Sequence, residues 1–120
     1  MKIIVLLAVG LALQASLPGK GVLLLPELPE TRLVRSPDGT RIAYDVAGSG
    51  PVVILLHGGG MTRRTWHAAG YVARLAREFT VVTIDIRGNG ESDKLNEESK
   101  FWFERINEDI LAVADAIGAK

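Results

Sequence analysis

The chain has no cysteine and only two histidines among its 120 residues. The lack of cysteine excludes disulfides, thiolate metal sites and a cysteine nucleophile. The chain also has no excess of positive or negative charge, because fourteen Lys and Arg residues balance fourteen Asp and Glu residues. Nucleic-acid binders need a concentrated basic patch, and the two histidines belong to no metal-binding motif such as HExxH. We therefore expect no metal, no organic cofactor and no nucleic-acid partner.

The longest apolar run lies at the N-terminus. Lys2 precedes an apolar stretch over residues 3–13, and Ala15 follows it just before a Pro-Gly pair. This pattern predicts a secretory signal peptide over residues 1–15, cleaved after Ala15, and a secreted or periplasmic protein. The run is about half the roughly 20 residues that a membrane-spanning helix needs, so no stable membrane span is expected. Two alternatives stay open: an uncleaved membrane anchor prolonged by residues 22–25, and a cytosolic apolar extension.

A connector and then a hairpin follow. Residues 16–30 are rich in Pro, Gly and Leu without a helical or strand period, which is typical of a connector. Residues 31–35 and 40–46 flank a Ser-Pro-Asp-Gly turn and predict a β-hairpin with one face exposed to water. The inward face of its second strand should carry Ile42, Tyr44 and Val46.

The remaining segments predict an α/β fold. Residues 52–56 and 80–84 are apolar strands, and residues 65–79 between them have the spacing of an amphipathic helix, so the unit implies parallel pairing. A last helix ends at Gly118, in a position suited to a C-terminal cap. Its apolar stripe comprises Phe103, Ile106, Ile110, Val113 and Ile117.

Two loops carry a family resemblance. The first strand of this unit leads into His57-Gly58-Gly59-Gly60-Met61 and then Trp66, and the second leads into Asp85-Ile86-Arg87-Gly88-Asn89-Gly90-Glu91-Ser92. This order of strand, HGGG, helix, strand and DxRGxGxS resembles the α/β-hydrolase family. The resemblance covers residues 31–120 and implies a partial α/β-hydrolase domain: the N-terminal half of the family's sheet, a β-hairpin followed by strand, helix, strand and helix.

The resemblance also implies roles for the loop residues. The backbone N–H groups of Gly59 and Gly60 would form an oxyanion hole, since glycine lets a substrate approach and lets successive N–H groups converge. His57 and Gly58 would be structural, because the family's catalytic histidine comes near its C-terminus. Structural roles are likewise implied for the second loop, at Asp85, Arg87, Gly88, Gly90 and Ser92.

No nucleophile motif is present. The sequence contains no GxSxG, and Ser92 follows both loop glycines instead of lying between two. The resemblance places the nucleophile, acid and base beyond Lys120. We therefore interpret the chain as the N-terminal part of a hydrolase, nominally a serine esterase-like carbonyl hydrolase acting on a small molecule, and expect the 120 residues to be inactive alone.

Two other interpretations are weighed. A non-catalytic binding half-domain would have to cover its exposed sheet edge, with self-association as one means. A dinucleotide-binding βαβ unit would use Asp85 to bind ribose, but counting from Gly58 the sixth position of the fingerprint is Arg63 instead of glycine.

Overall fold

A mixed five-stranded sheet lies at the centre of the molecule. The computed structural model describes residues 3–7, 27–95 and 102–119. In chain order the elements are β1 Ile4–Leu7, β2 Arg32–Arg35, β3 Arg41–Ala47, β4 Val52–Leu56, α1 Arg64–Ala68, α2 Tyr71–Leu75, β5 Thr80–Ile84 and α3 Trp102–Ala116. The strand order is β1-β4-β5-β3-β2. The α/β class predicted from the sequence is confirmed.

The predicted hairpin is formed by β2 and β3. The two strands pair antiparallel, and Gly39 adopts a φ of 88° while its N–H donates to the carbonyl of Ser36 at 2.8 Å. The prediction of one water-exposed face is wrong for β3, since Ala43 and Asp45 are buried together with their neighbours. The reason is a covering layer of polar side chains that the alternation of apolar residues does not reveal.

The strand pair β4 and β5 is parallel, as the intervening helical segment predicts. Leu56 lies opposite Ile84 in this ladder, and β5 also pairs antiparallel with β3. All five residues of β4 are buried. A continuously apolar strand is therefore covered on both faces, as expected for the interior of a layered α/β fold.

The connection between β4 and β5 is not the single helix predicted over residues 65–79. It consists of two five-residue helices, α1 and α2. Gly70 separates them with a φ of 82°. A residue in the left-handed region cannot continue an α-helix, so the apolar spacing persists while the helix does not.

The last helix ends as predicted. Gly118 has a φ of 73°, its N–H donates to the carbonyl of Asp115, and the N–H of Ala119 donates to that of Ala114. These two bonds define a Schellman cap. The predicted stripe packs against the core except at Phe103, which is 72% exposed. Phe103 lies near the start of α3, beyond the hydrophobic cluster that the other four side chains contact.

Helices cover both faces of the sheet. The larger cluster joins alternate β4 and β5 residues with α3, and the smaller one joins the opposite faces of those strands with Trp66 and Val72 of α1 and α2. Apolar burial on both sides fixes the sheet in the middle layer. The loops at the carboxyl ends of β4 and β5 are thereby held at one rim of the molecule.

The N-terminal residues add an element that the sequence pattern does not predict as a strand. β1 lies within the predicted signal peptide and pairs parallel with β4. Residues 8–26, which include the predicted cleavage point and most of the connector, lie outside the described residues. Among the helices that the structure describes, none has both the length and the apolarity to cross a membrane.

Candidate functional site

The two motif loops meet at the same edge of the sheet. Their strands are parallel and in register, so His57 and Asp85 emerge side by side. The turn of the hairpin reaches the same edge, because the N–H of Asp93 donates to the carbonyl of Arg41 at 2.9 Å. In open α/β sheets ligands bind outside the carboxyl ends of strands, so this edge is the candidate site.

The glycine loop forms a turn with its outer surface open. The carbonyl of Gly58 accepts the N–H of Met61 at 3.2 Å, and Gly60 takes a φ of 73°. A Cβ built on Gly59 or Gly60 would meet no atom within 4 Å. Within the described part of the chain, neither residue's N–H donates a hydrogen bond. The loop therefore presents free backbone donors beside an accessible space.

His57 joins the two loops, and both of its ring nitrogens form hydrogen bonds with the backbone. The imidazole is 1% exposed, and its Nε2 accepts the backbone N–H of Ile86 at 3.0 Å. Its Nδ1 therefore carries the proton and donates to the carbonyl of Gly58 at 2.7 Å. With no nitrogen left for a substrate proton, this histidine holds the glycine loop against the neighbouring strand end.

Asp85 organises the second loop from inside. Its fully buried carboxylate accepts the backbone N–H of Arg63 at 2.7 Å and that of Glu91 at 2.9 Å, and it pairs with the Arg63 guanidinium. Gly90 packs directly on this carboxylate, because an added Cβ would collide with it. The carboxylate is buried and bonded to groups of the protein, so a ribose hydroxyl cannot reach it.

Ser92 is also saturated with internal partners. Its hydroxyl donates to the carbonyl of Asp85 at 2.6 Å and accepts the N–H of Ala43 at 2.8 Å, and the residue is 3% exposed. Gly88, with a φ of 86°, lets Leu95 pack where a side chain would otherwise collide. Through these two hydrogen bonds, Ser92 joins the loop to β3.

Arg87 reaches beyond its own loop. Its guanidinium donates to Asp109 of α3 at 2.6 and 2.8 Å and to Asp38 of the hairpin turn at 2.7 Å. The hydrogen bonds that Arg87 donates to Asp109 raise the pKa of Arg87; burial opposes this rise and the bond to Asp38 adds to it. The hydrogen bond that Arg87 donates to Asp38 lowers the pKa of Asp38, and burial raises that pKa by a smaller amount. One side chain therefore ties three elements together below the rim.

The residue that sequence reasoning missed is Arg63. It is 2% exposed and binds two buried carboxylates, those of Asp45 and Asp85, and in addition the more exposed Glu91. Burial lowers the pKa of Arg63, but the bonds and charges of Glu91 and Asp85 outweigh it and the net pKa is raised. Nothing in the local sequence separates Arg63 from the adjacent Arg64, whose side chain is 62% exposed.

A second histidine belongs to the same buried network. Nε2 of His67 lies 3.0 Å from both carboxylate oxygens of Asp45, and the hydroxyl of Thr83 donates to that carboxylate at 2.7 Å. An ionised carboxylate only accepts, so Nε2 carries a hydrogen. Over the ranges 3–7, 27–95 and 102–119, no three His, Asp or Glu side chains are grouped as a metal site would require.

Comparison with known proteins supports the family resemblance carried by the two loops. The sequence profile of the alpha/beta hydrolase fold matches residues 51–120. The chain belongs to this family. An uncharacterized protein of Mycobacterium tuberculosis is 40% identical over 88 residues, which are 72% of this chain and 25% of that protein. The chain therefore spans about a quarter of the length of this curated relative.

Two solved structures share the fold of this α/β-hydrolase chain. An alpha/beta hydrolase from Sphaerobacter thermophilus superposes with a TM-score of 0.63 and 41% identity, over 72% of this chain and 32% of that one. An epoxide hydrolase from Vigna radiata superposes with a TM-score of 0.66 and 28% identity, over 75% of this chain and 29% of that one. The family is thus supported by both sequence and structure.

Proposed function

We propose that this chain supplies the oxyanion-stabilising part of a hydrolase that acts on a small molecule with a carbonyl group, nominally an ester. The free N–H groups of Gly59 and Gly60 carry the proposal, because they lie beside open space at the edge where open α/β sheets bind ligands. Two such donors stabilise the negative oxygen that develops when a nucleophile adds to a carbonyl.

In this proposal the hydrogen bonds of His57, Asp85 and Ser92 give these residues structural roles. His57 fixes the height of the glycine loop, and Asp85 with Ser92 fixes the adjacent loop, while the chemistry comes from residues outside these 120. A serine nucleophile needs a base to take its proton and a third group to orient that base. Neither His57 nor Ser92 fits these roles, because hydrogen bonds within the protein occupy both.

Epoxide hydrolysis is the second candidate. The likeness to the Vigna radiata epoxide hydrolase favours it. Opening an epoxide also develops negative charge on an oxygen, so the same N–H donors could serve either reaction. The nucleophile and the residues around the substrate decide between the two, and the loops of this chain are compatible with both.

The first experiment is the nucleotide sequence beyond the Lys120 codon. We expect a short apolar strand leading into a nucleophile turn such as GxSxG, with Asp and His further on. The protein encoded by that longer frame should then hydrolyse p-nitrophenyl acetate or styrene oxide, and the substrate turned over distinguishes the two candidates. A verified stop codon with no such downstream segment would contradict the catalytic proposal.

A complementary assay uses the 120-residue chain itself. We expect no turnover of either substrate above the rate of a buffer blank. Robust turnover by the purified chain, abolished by a substitution within it, would show that these residues contain a nucleophile. That result would overturn the expectation that the nucleophile lies outside these residues.

A further inference from the structure

The glycine loop between β4 and α1 is attached at both of its ends to the end of one strand. At its start, Nε2 of His57 accepts the N–H of Ile86 at 3.0 Å. At its end, the N–H of Arg63 donates to Oδ1 of Asp85 at 2.7 Å. Asp85 and Ile86 follow β5 directly, and β5 is the middle strand of the sheet. The position of the loop relative to the sheet is therefore set by these two attachments.

The loop has little internal bonding of its own. Between residues 58 and 62 there is one backbone hydrogen bond, from the N–H of Met61 to the carbonyl of Gly58, and its length of 3.2 Å is at the long end of the usual range. Three of these five residues are glycines, whose backbone is the least restricted. Such a segment cannot fix the direction of its own N–H groups, so that direction depends on how firmly the two ends are held.

The end at Arg63 is held by a buried set of charged hydrogen bonds. The carboxylate of Asp85 accepts both the backbone N–H and the guanidinium of Arg63, so it fixes the main chain and the side chain together. The same guanidinium donates from Nε to Asp45 of β3 at 3.1 Å. It also donates from Nη2 to the hydroxyl of Thr31 at 2.5 Å and to Glu91 at 3.0 Å. Hydrogen bonds between charged groups are the stronger kind, so this end is firmly anchored.

The anchor depends on the shape of arginine as well as on its charge. Asp45 is itself held in place, because the hydroxyl of Thr83 donates to its carboxylate at 2.7 Å and Nε2 of His67 lies 3.0 Å from it. The guanidinium presents five N–H donors in a rigid planar fork, whereas lysine has a compact charge on a flexible stem. A lysine at position 63 would keep the charge but could not contact all four partners at once.

We propose that Arg63 is a positioning residue, which holds the end of the glycine loop so that the N–H groups of Gly59 and Gly60 keep one direction. The inference rests on the proposed function for what these donors stabilise. Donors that already point at the developing charge need no reorganisation during the reaction, which makes them effective. Because Arg63 is buried, it acts through the backbone that it holds and not on a substrate.

The test is NMR relaxation of the backbone amides in the full 120-residue chain. The order parameters of Gly59 and Gly60 are compared among the parent, Arg63→Lys and the matched control Arg64→Lys. The side chain of Arg64 is 62% exposed, so the same change there leaves the buried hydrogen bonds intact. Gly39 in the hairpin turn is the internal reference, because its N–H is bonded to the carbonyl of Ser36 far from the substitution in sequence.

We expect order parameters of about 0.85 at Gly59 and Gly60 in the parent and the control, and below about 0.6 in Arg63→Lys. Gly39 and the amides of β5 should keep their parent values. A residue that only raised the free energy of unfolding would not give this pattern, since order parameters report picosecond-to-nanosecond motion of the folded molecule.

Two results would overturn the proposal: order parameters below about 0.6 at Gly59 and Gly60 already in the parent, or parent values in folded Arg63→Lys. If Arg63→Lys does not fold, Asp45→Asn removes the charged partner of Nε with little change of shape, and an unchanged loop in that variant would overturn it equally. None of these measurements requires turnover. A loosened loop together with full kcat in a Gly59→Val enzyme would keep Arg63 as the residue that orders the loop and would contradict the proposed function alone.

Discussion

The two loops at the site edge are both rich in glycine, but they differ in whether their polar groups form hydrogen bonds within the protein. In the loop from Asp85 to Ser92, the Asp85 carboxylate, the Ser92 hydroxyl and the Arg87 guanidinium all form hydrogen bonds with other parts of the fold. In the loop around Gly59 and Gly60, the backbone donors have no partner among the described residues and no neighbour fills the space beside them. A saturated loop stabilises the fold, whereas a loop with unsatisfied donors can bind a ligand.

This contrast has an energetic basis. Buried polar groups are stable only when they are paired, so the saturated loop should respond strongly to any loss of a partner. Free donors at an accessible surface are solvated and stable without a protein partner. Substitutions in the two loops should therefore separate stability from function, and the predictions below run from the largest expected effect on stability to the smallest.

The largest effect is expected for Arg63→Met. Arg63 is the cation between the buried carboxylates of Asp45 and Asp85, so its loss leaves uncompensated negative charge in the interior. Removing one partner of a buried ion pair costs about 3–5 kcal/mol. Urea unfolding followed by circular dichroism should show this loss. The matched control Arg64→Met removes an exposed neighbour and should stay within about 0.5 kcal/mol of the parent; equal effects at both positions would contradict the role of Arg63.

The next effect concerns the contact between Gly90 and Asp85. Gly90→Ala should cost about 2–5 kcal/mol, combining left-handed strain with a collision against the carboxylate. Gly39→Ala is the matched control, because Gly39 has a φ of 88° but nothing within 4 Å of an added Cβ. Its cost should be only about 1–2 kcal/mol of strain. If the two alanines destabilise equally in thermal unfolding, the close packing on Asp85 contributes nothing.

A smaller effect depends on pH and involves Asp38. Arg87 lowers the pKa of Asp38 in the folded chain, so this pair contributes stability above the unfolded pKa near 3.8 and loses it as pH falls. Asp38→Asn should lower the free energy of unfolding at pH 7 by roughly 0.5–1 kcal/mol, allowing for solvent screening. It should also flatten the decline of stability below pH 4. About 1 M salt should shrink the difference between the two proteins, and a difference that persists unchanged at pH 2 would contradict the ion pair.

The sequence predicts the frame of this molecule better than its buried network. The strands β4 and β5 follow from continuous apolar runs, and the hairpin follows from a turn whose glycine needs a positive φ. With Ile42, Tyr44 and Val46 pointing inward, the alternation of residues 40–46 places Asp45 on the water-exposed face. It is buried because Arg63 and His67 approach from α1 and its N-terminal end, a tertiary contact that no local pattern encodes.

The N-terminus illustrates a different limit. An apolar run with a leading lysine has the composition of a signal peptide, and the same residues have the β-branched character of a strand. Periodicity cannot separate the two, because both uses require the same apolar side chains. Gly70 is similar: glycine inside an amphipathic pattern is compatible with a continuous helix or a break, and only its φ of 82° decides.

The smallest effect on stability, and the largest on chemistry, is expected at Gly59. Gly59 lies outside the left-handed region and has open space around it, so Gly59→Val should change the free energy of unfolding by no more than about 0.5 kcal/mol. In the catalytically competent protein that the proposed function requires, the side chain would enter the space meant for the substrate oxygen. Blocking donors of this kind lowers kcat by about a hundredfold.

Two comparison variants sharpen the test of Gly59. Gly59→Ala should have an intermediate effect on kcat, because its methyl group obstructs less of the same space. Gly60→Ala should lower stability as well, since a φ of 73° strains any side chain, which makes Gly60 the poorer probe of function. A Gly59→Val enzyme with full kcat would remove the glycine loop from the mechanism while leaving the fold and the family intact. A loss of kcat with unchanged unfolding would tie the free donors of this loop to the reaction and separate them from the bonds that hold the second loop in place.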